Sequence, residues 1–150
     1  MVIDQLIDVP LWVNVFGIVV GSMQGAMYAA GFRDRKLDLL GIAVIGIATG
    51  LGGGLLRDIM LNRMPIAFSE NYLILVAVGA AFAGMLLGRV ISGRLDWLLT
   101  SLDALSLGIF AMIGTTAAIY AGLPVVPAIF VGVITAVGGG MIRDIMLNMP

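Results

Sequence analysis

The chain has 150 residues, 61% hydrophobic and 11% charged, with a net charge of −1 and a mean hydropathy of +1.12. A soluble domain carries about a quarter charged residues, so this composition excludes one and points to a membrane. With no cysteine and no histidine, disulfides, thiol or Ser-His-Asp nucleophiles, His-ligated haem and Cys/His zinc sites are all excluded.

In chain order, "MVIDQLIDVP" carries Asp4 and Asp8 but no Lys or Arg, so it does not read as a cleaved signal peptide. Charge-free runs then occupy residues 9–32, 39–56, 71–88 and 104–142. A run of about 18 such residues is enough to cross a bilayer as a helix. The last run is too long for one span, and "AGLPVVP" at 121–127 supplies a turn within it. Five spans are therefore predicted, at roughly 11–31, 39–61, 71–88, 103–121 and 125–147. The runs do not alternate polar with apolar residues, which argues against a barrel. Arg33, Arg35 and Lys36 in the first loop and Arg89 and Arg94 in the third outweigh Arg63 and Arg57 on the other side. The positive-inside rule then places the N-terminus outside and those two loops in the cytoplasm. No basic stripe suggests a nucleic-acid partner.

The stretch "GLGGGLLRDIMLNRMP" at 50–65 returns as "AVGGGMIRDIMLNMP" at 136–150. Gly52, Gly53 and Gly54 pair with Gly138, Gly139 and Gly140, Arg57 with Arg143, Asp58 with Asp144, and Asn62 with Asn148, always 86 residues apart. Leu37, Gly46 and Thr49 likewise pair with Leu123, Gly132 and Thr135. The first spans of the two units match more weakly, "GSMQGAMYAA" against "FAMIGTTAAI". This is a duplicated three-span unit within one membrane domain, 11–88 and 103–150. Three is odd, so the copies enter the membrane from opposite sides, the inverted-repeat architecture of many transport proteins. The second copy lacks a counterpart of 71–88; the favoured expectation is a chain that continues past Pro150, the alternative a missing surface supplied by another subunit.

Three adjacent glycines, each costing about 1 kcal/mol in a helix relative to alanine, predict unwinding about two-thirds of the way across each span. Freed carbonyls there could hold a monovalent cation, and the half-helix N-terminus beyond them a carboxylate. The competing reading is close packing, for which the runs Gly17/Gly21/Gly25 and Ala80/Gly84/Gly88 have the right spacing. Arg57 and Asp58 follow the glycines, as do Arg143 and Asp144. Neighbours about 100° apart on a helix are not expected to pair, so each Arg is expected to reach the Asp of the other copy. Charges at such depth face a bundle interior or an aqueous path, unless the Arg simply snorkels to the headgroups. Asp103, at the start of the fourth span, reads equally as such a charge or as an interfacial cap. Thr49 and Thr135 complete the candidate pathway residues.

The doubled Gly-Gly-Gly-x-x-Arg-Asp motif resembles the bacterial relatives of the TRIC (trimeric intracellular cation) channels, a family also called putative glycine transporters. The resemblance runs from "VNVFGIVVGSMQGAMYAAG" through both motif blocks. It implies two inverted three-helix units plus a seventh helix, with the second and fifth helices kinked at the glycines. It further implies homotrimers in a bacterial inner membrane, each subunit with its own pore for K⁺ and other monovalent cations. Gly52–Gly54 and Gly138–Gly140 would be the kinks, followed by Arg57, Asp58, Arg143 and Asp144. The chain departs from the family in ending before the sixth and seventh helices, and in carrying Gln24 and Tyr28 where members have smaller residues. The sequence thus leads to an all-α membrane transport protein without cofactor or resident metal, passing monovalent cations or a small neutral amino acid such as glycine. A nucleophile–base constellation for an enzyme is not visible.

Overall fold

The computed structural model describes residues 10–31, 37–90 and 95–149. Six helices follow in order: α1 (Leu11–Gly31), α2 (Leu39–Met60), α3 (Ile66–Ser69), α4 (Asn71–Val90), α5 (Leu95–Tyr120) and α6 (Val125–Met146). Among the described residues there are no strands, and five of the helices are long and apolar enough to cross a membrane. Arg33, Arg35, Lys36 and Arg94, on which the orientation rests, lie outside the described residues, as does the side chain of Arg89. Asp38 starts α2 by accepting a hydrogen bond from the Gly41 N–H at 2.7 Å, which satisfies one of the donors that a helix start leaves open. Pro124 opens α6, where its missing N–H costs nothing.

α1, α2, α6 and α5 pack around a shared centre, and α4 lies outside against α1 and α2. Lipid tails are as apolar as leucine, so helices associate by close packing rather than by a hydrophobic drive. Glycines make that packing possible. A methyl on Gly84 would fall on the Met23 carbonyl oxygen, and one on Gly88 would stand 3.4 Å from the Met27 Cα, seating α4 on α1. The same contacts display the internal two-fold. Gly25 faces the Thr49 hydroxyl as Gly114 faces that of Thr135, each within 2.5 Å of an added methyl. Here α1 and α5 pair with a difference of 89 rather than 86, because the α5–α6 connection is shorter than that between α1 and α2.

The repeated "Met-Leu-Asn" ends both second helices in one way. Asn62 and Asn148 have φ of 52°. The Arg63 N–H donates to the Asp58 carbonyl at 3.0 Å, and the Asn62 N–H to the Ile59 carbonyl at 3.0 Å. Met149 and Asn148 repeat this to Asp144 and Ile145 at 2.9 and 3.0 Å. This is the Schellman stop, in which a left-handed residue satisfies the last carbonyls. The repeated Asn62 and Asn148 thus have a backbone task, ending the helix in the left-handed conformation.

One boundary and one internal feature differ from expectation. The fourth span begins at Leu95 rather than 103, so Asp103 sits inside α5 and does not cap it. The helices α2 and α6 also run unbroken through both glycine triplets, so the expected unwinding does not occur.

Candidate functional site

The triplets sit where α2 and α6 cross antiparallel. A methyl on Gly53 would fall on the Thr135 carbonyl oxygen, and one on Gly139 on that of Thr49. A methyl on Gly52 would stand 2.6 Å from Ile142 Cδ1, and one on Gly138 2.6 Å from Leu56 Cδ1. Gly54 and Gly140 have only a guanidinium near them, from Arg57 at 4.0 Å and Arg143 at 3.8 Å. Three adjacent glycines thus have three separate reasons: one for the opposing backbone, one for the opposing side chain, and one beside the arginine. This close approach between helices makes up for their low helix propensity, which is why the helices hold where propensity alone predicts a break. The Thr49 and Thr135 hydroxyls donate back to the Ile45 and Val131 carbonyls at 2.6 and 2.7 Å.

The charge pairs do not cross the two-fold. Arg57 turns back on its neighbour, with Nε 2.7 Å from Asp58 Oδ1 and Nη2 3.0 Å from Oδ2. Arg143 Nε likewise donates to Asp144 Oδ1 at 2.8 Å. The long arginine stem spans the angle between adjacent helix positions, and a forked pair at short range outweighs a reach across the bundle. Arg57 is 4% exposed, which rules out snorkelling. Asp58 also accepts from Arg63 Nε at 2.9 Å and from the Ile66 N–H at 3.0 Å. The short α3, invisible in the sequence, presents that N–H. Asp58 is therefore sealed, with a side chain 2% exposed.

The second pair has different company. Arg143 stacks on the Tyr28 ring at 4.3 Å, and its Nη1 stands 3.7 Å from Asp103 Oδ1. That nitrogen is buried and makes no hydrogen bond among the described residues. Gln24 Nε2 donates to Asp103 Oδ1 at 3.0 Å. Asp103 and Asp144 keep side chains 44% and 41% exposed. Both line a cavity of about 230 Å³ with Gln24, Thr49, Ser106 and Arg143. On the other side of the crossing, a cavity of about 180 Å³ is lined by Asn14, Arg57, Arg63 and Tyr120. A pocket of about 30 Å³ beside it reaches Asp58. Phe110 lines both this small pocket and the 230 Å³ cavity.

All the candidate residues thus gather at one crossing. Sequence reasoning did not include Asn14, Gln24, Tyr28, Arg63, Asp103 or Phe110 among them. The weak first-span match held a usable signal: it pairs Asn14 with Asp103 and Gly21 with Phe110.

Membrane helices duplicated about a glycine crossing, with an Arg-Asp pair and a polar cavity on either side, define a helical membrane protein of the channel and transporter class. The chain belongs to the family described as Glycine transporter, which matches residues 11–89 and 100–150. It is 35% identical over 139 residues to a UPF0126 membrane protein of Deinococcus radiodurans, covering 91% of this chain and 62% of that one. It is 33% identical over 136 residues to the UPF0126 inner membrane protein YadS of Escherichia coli, covering 90% and 64%. The chain thus spans less than two thirds of these relatives. Among solved structures it resembles the TRIC trimeric intracellular cation channel orthologue from Rhodobacter sphaeroides. That match has a TM-score of 0.84 and 31% identity, over 93% of this chain and 71% of that one. The fold expected from the doubled motif is the fold found.

Proposed function

We propose that this protein is a cation channel of the bacterial inner membrane, with its N-terminus outside, passing K⁺ and other monovalent cations through a path within each subunit of a homotrimer. The observation that carries the reading is the pair of polar cavities on opposite sides of the α2–α6 crossing, in a fold shared with a cation channel orthologue. The route passes Thr49, Gly52–Gly54 and Arg57 with Asp58 on one helix, and Thr135, Gly138–Gly140 and Arg143 with Asp144 on the other. Because the helices are unbroken, the cation is met by side chains and cavity water rather than by freed carbonyls. Phe110 lines both the 230 Å³ cavity and the 30 Å³ pocket that reaches Asp58, so it narrows the route between those two. Charged groups at this depth are retained where they face such an aqueous path. Reconstitution of the protein in planar bilayers tests the reading. Unitary currents reversing near the K⁺ equilibrium potential are expected, and folded protein without cation current overturns it.

A second reading is transport of glycine or another small neutral amino acid. One observation favours it: Arg143 and the two carboxylates share one cavity, offering complementary charges to a zwitterion. Saturable uptake of radiolabelled glycine into proteoliposomes, without conductance, would select this reading.

A further inference from the structure

The two sides of the crossing are built from duplicated residues yet carry opposite charge balance. Around Arg57, one carboxylate, Asp58, faces two guanidinium groups, and both its oxygens accept hydrogen bonds. Around Arg143, one guanidinium faces two carboxylates, Asp103 and Asp144. The source of the difference lies at positions where the two copies diverge. Asp103 on α5 occupies the place that Asn14 holds on α1, and Met149 the place of Arg63.

We infer that Asp103 is the residue that sets preference for cations over anions, acting at the 230 Å³ cavity; this rests on the cation-channel reading above. Three observations converge on it. Asp58 is 2% exposed and both its oxygens accept hydrogen bonds, so its charge on the route is already compensated. Asp144 holds Arg143 at 2.8 Å, which neutralises that pair locally. Two carboxylates against one guanidinium leave one negative charge in excess at the cavity, and Asp103, in the longer ion pair at 3.7 Å and 44% exposed, is the less tightly held of the two. Gln24 fixes its Oδ1 from the facing helix without cancelling its charge. A carboxylate lining a cavity along the path raises the local concentration of cations and lowers that of anions. The site selects by charge, so it suits any small monovalent cation.

The chain has no cysteine, so Asp103→Cys places a single thiol in the cavity and allows the charge to be changed within one folded molecule. In planar bilayers, Asp103→Asn is expected to lower the K⁺/Cl⁻ permeability ratio about fivefold, the scale of one charge in a focusing cleft. Asp103→Glu keeps the ratio. Treating Asp103→Cys with a negatively charged methanethiosulfonate should restore it, and a positively charged one should depress it further. A wild-type protein with no cation current overturns the channel reading itself. Wild-type selectivity that survives Asp103→Asn, or does not follow the charge placed on Asp103→Cys, overturns this inference alone. If only carboxylates at 103 yield folded protein, Asp103 is a structural partner of Gln24 and Arg143, and the inference fails.

Discussion

Asp58 and Asp144 occupy the same place in the two copies of one motif, and each binds the arginine before it, yet they live in different surroundings. Asp58 accepts from Arg57, Arg63 and the first N–H of α3. Asp144 holds Arg143 at the edge of a cavity, with its side chain 41% exposed. The helix, its Schellman stop and the neighbouring ion pair are set by the repeated residues and so appear twice. The company each carboxylate keeps is set by positions at which the two copies diverge, Arg63 against Met149 and Asn14 against Asp103. Duplication therefore copies a scaffold, and divergence within it gives the Asp58 carboxylate a second guanidinium, Arg63, where the second copy has Met149.

Removing each carboxylate in turn should give the largest contrast. Asp58→Asn leaves Arg57 buried and Arg63 partly so, with half their partner gone, and breaking a buried pair costs about 3–5 kcal/mol. Asp144→Asn acts on a half-open pair and should cost no more than about 1 kcal/mol. Thermal unfolding in detergent, followed by size-exclusion, reads both. Equal losses would show that the two sites are not the different environments described.

The glycines offer the opposite test, because there the halves are expected to behave alike. Gly53→Ala and Gly139→Ala each drive a methyl onto an opposing carbonyl oxygen. Relieving that contact means parting α2 from α6, at about 1–3 kcal/mol per substitution. Gly54→Ala and Gly140→Ala meet only the end of an arginine and should be neutral, or stabilising by up to about 1 kcal/mol through helix propensity. Unequal effects of Gly53→Ala and Gly139→Ala in the same unfolding assay would break the two-fold at its centre.

Much of the architecture was legible in advance, because a bilayer demands long charge-free helices and a repeat betrays symmetry. Four of the five spans fall within a residue or two of where the charge-free runs place them. The start of α5 did not, since its first turns carry Asp96, Thr100, Ser101 and Asp103 and so look like loop by polarity. The site was legible as a location but not as a geometry. Helical spacing says where Cβ atoms point; it does not say that a flexible Arg57 folds back onto Asp58. Propensity marks three glycines as a weak point, but the gain from packing two backbones together is a tertiary term that no local window contains. The Gln24–Asp103 hydrogen bond joins residues 79 apart on helices with little shared sequence, and α3 is too short to leave a periodic signal.

The smallest expected effects lie at the helix stops, where the two halves should differ by a margin rather than in kind. Asn62 and Asn148 both adopt φ of 52°, a conformation that asparagine tolerates and that costs other non-glycine residues about 1–2 kcal/mol. Asn62→Ala and Asn148→Ala should each lose about 1 kcal/mol on that account, while Asn→Gly at either position should be close to neutral. Asn62 also sets the direction of the chain into Arg63, whose guanidinium is tied to Asp58 at 2.9 Å. At the equivalent place Met149 makes no ion pair. Asn62→Ala should therefore exceed Asn148→Ala by a few tenths of a kcal/mol to about 1 kcal/mol, the worth of a partly exposed ion pair. A double-mutant cycle with Arg63→Met isolates the excess: the two alanine variants should become equal once Arg63 is gone. An excess that persists in the Arg63→Met background would place the difference between the two halves elsewhere than at the Asp58 corner.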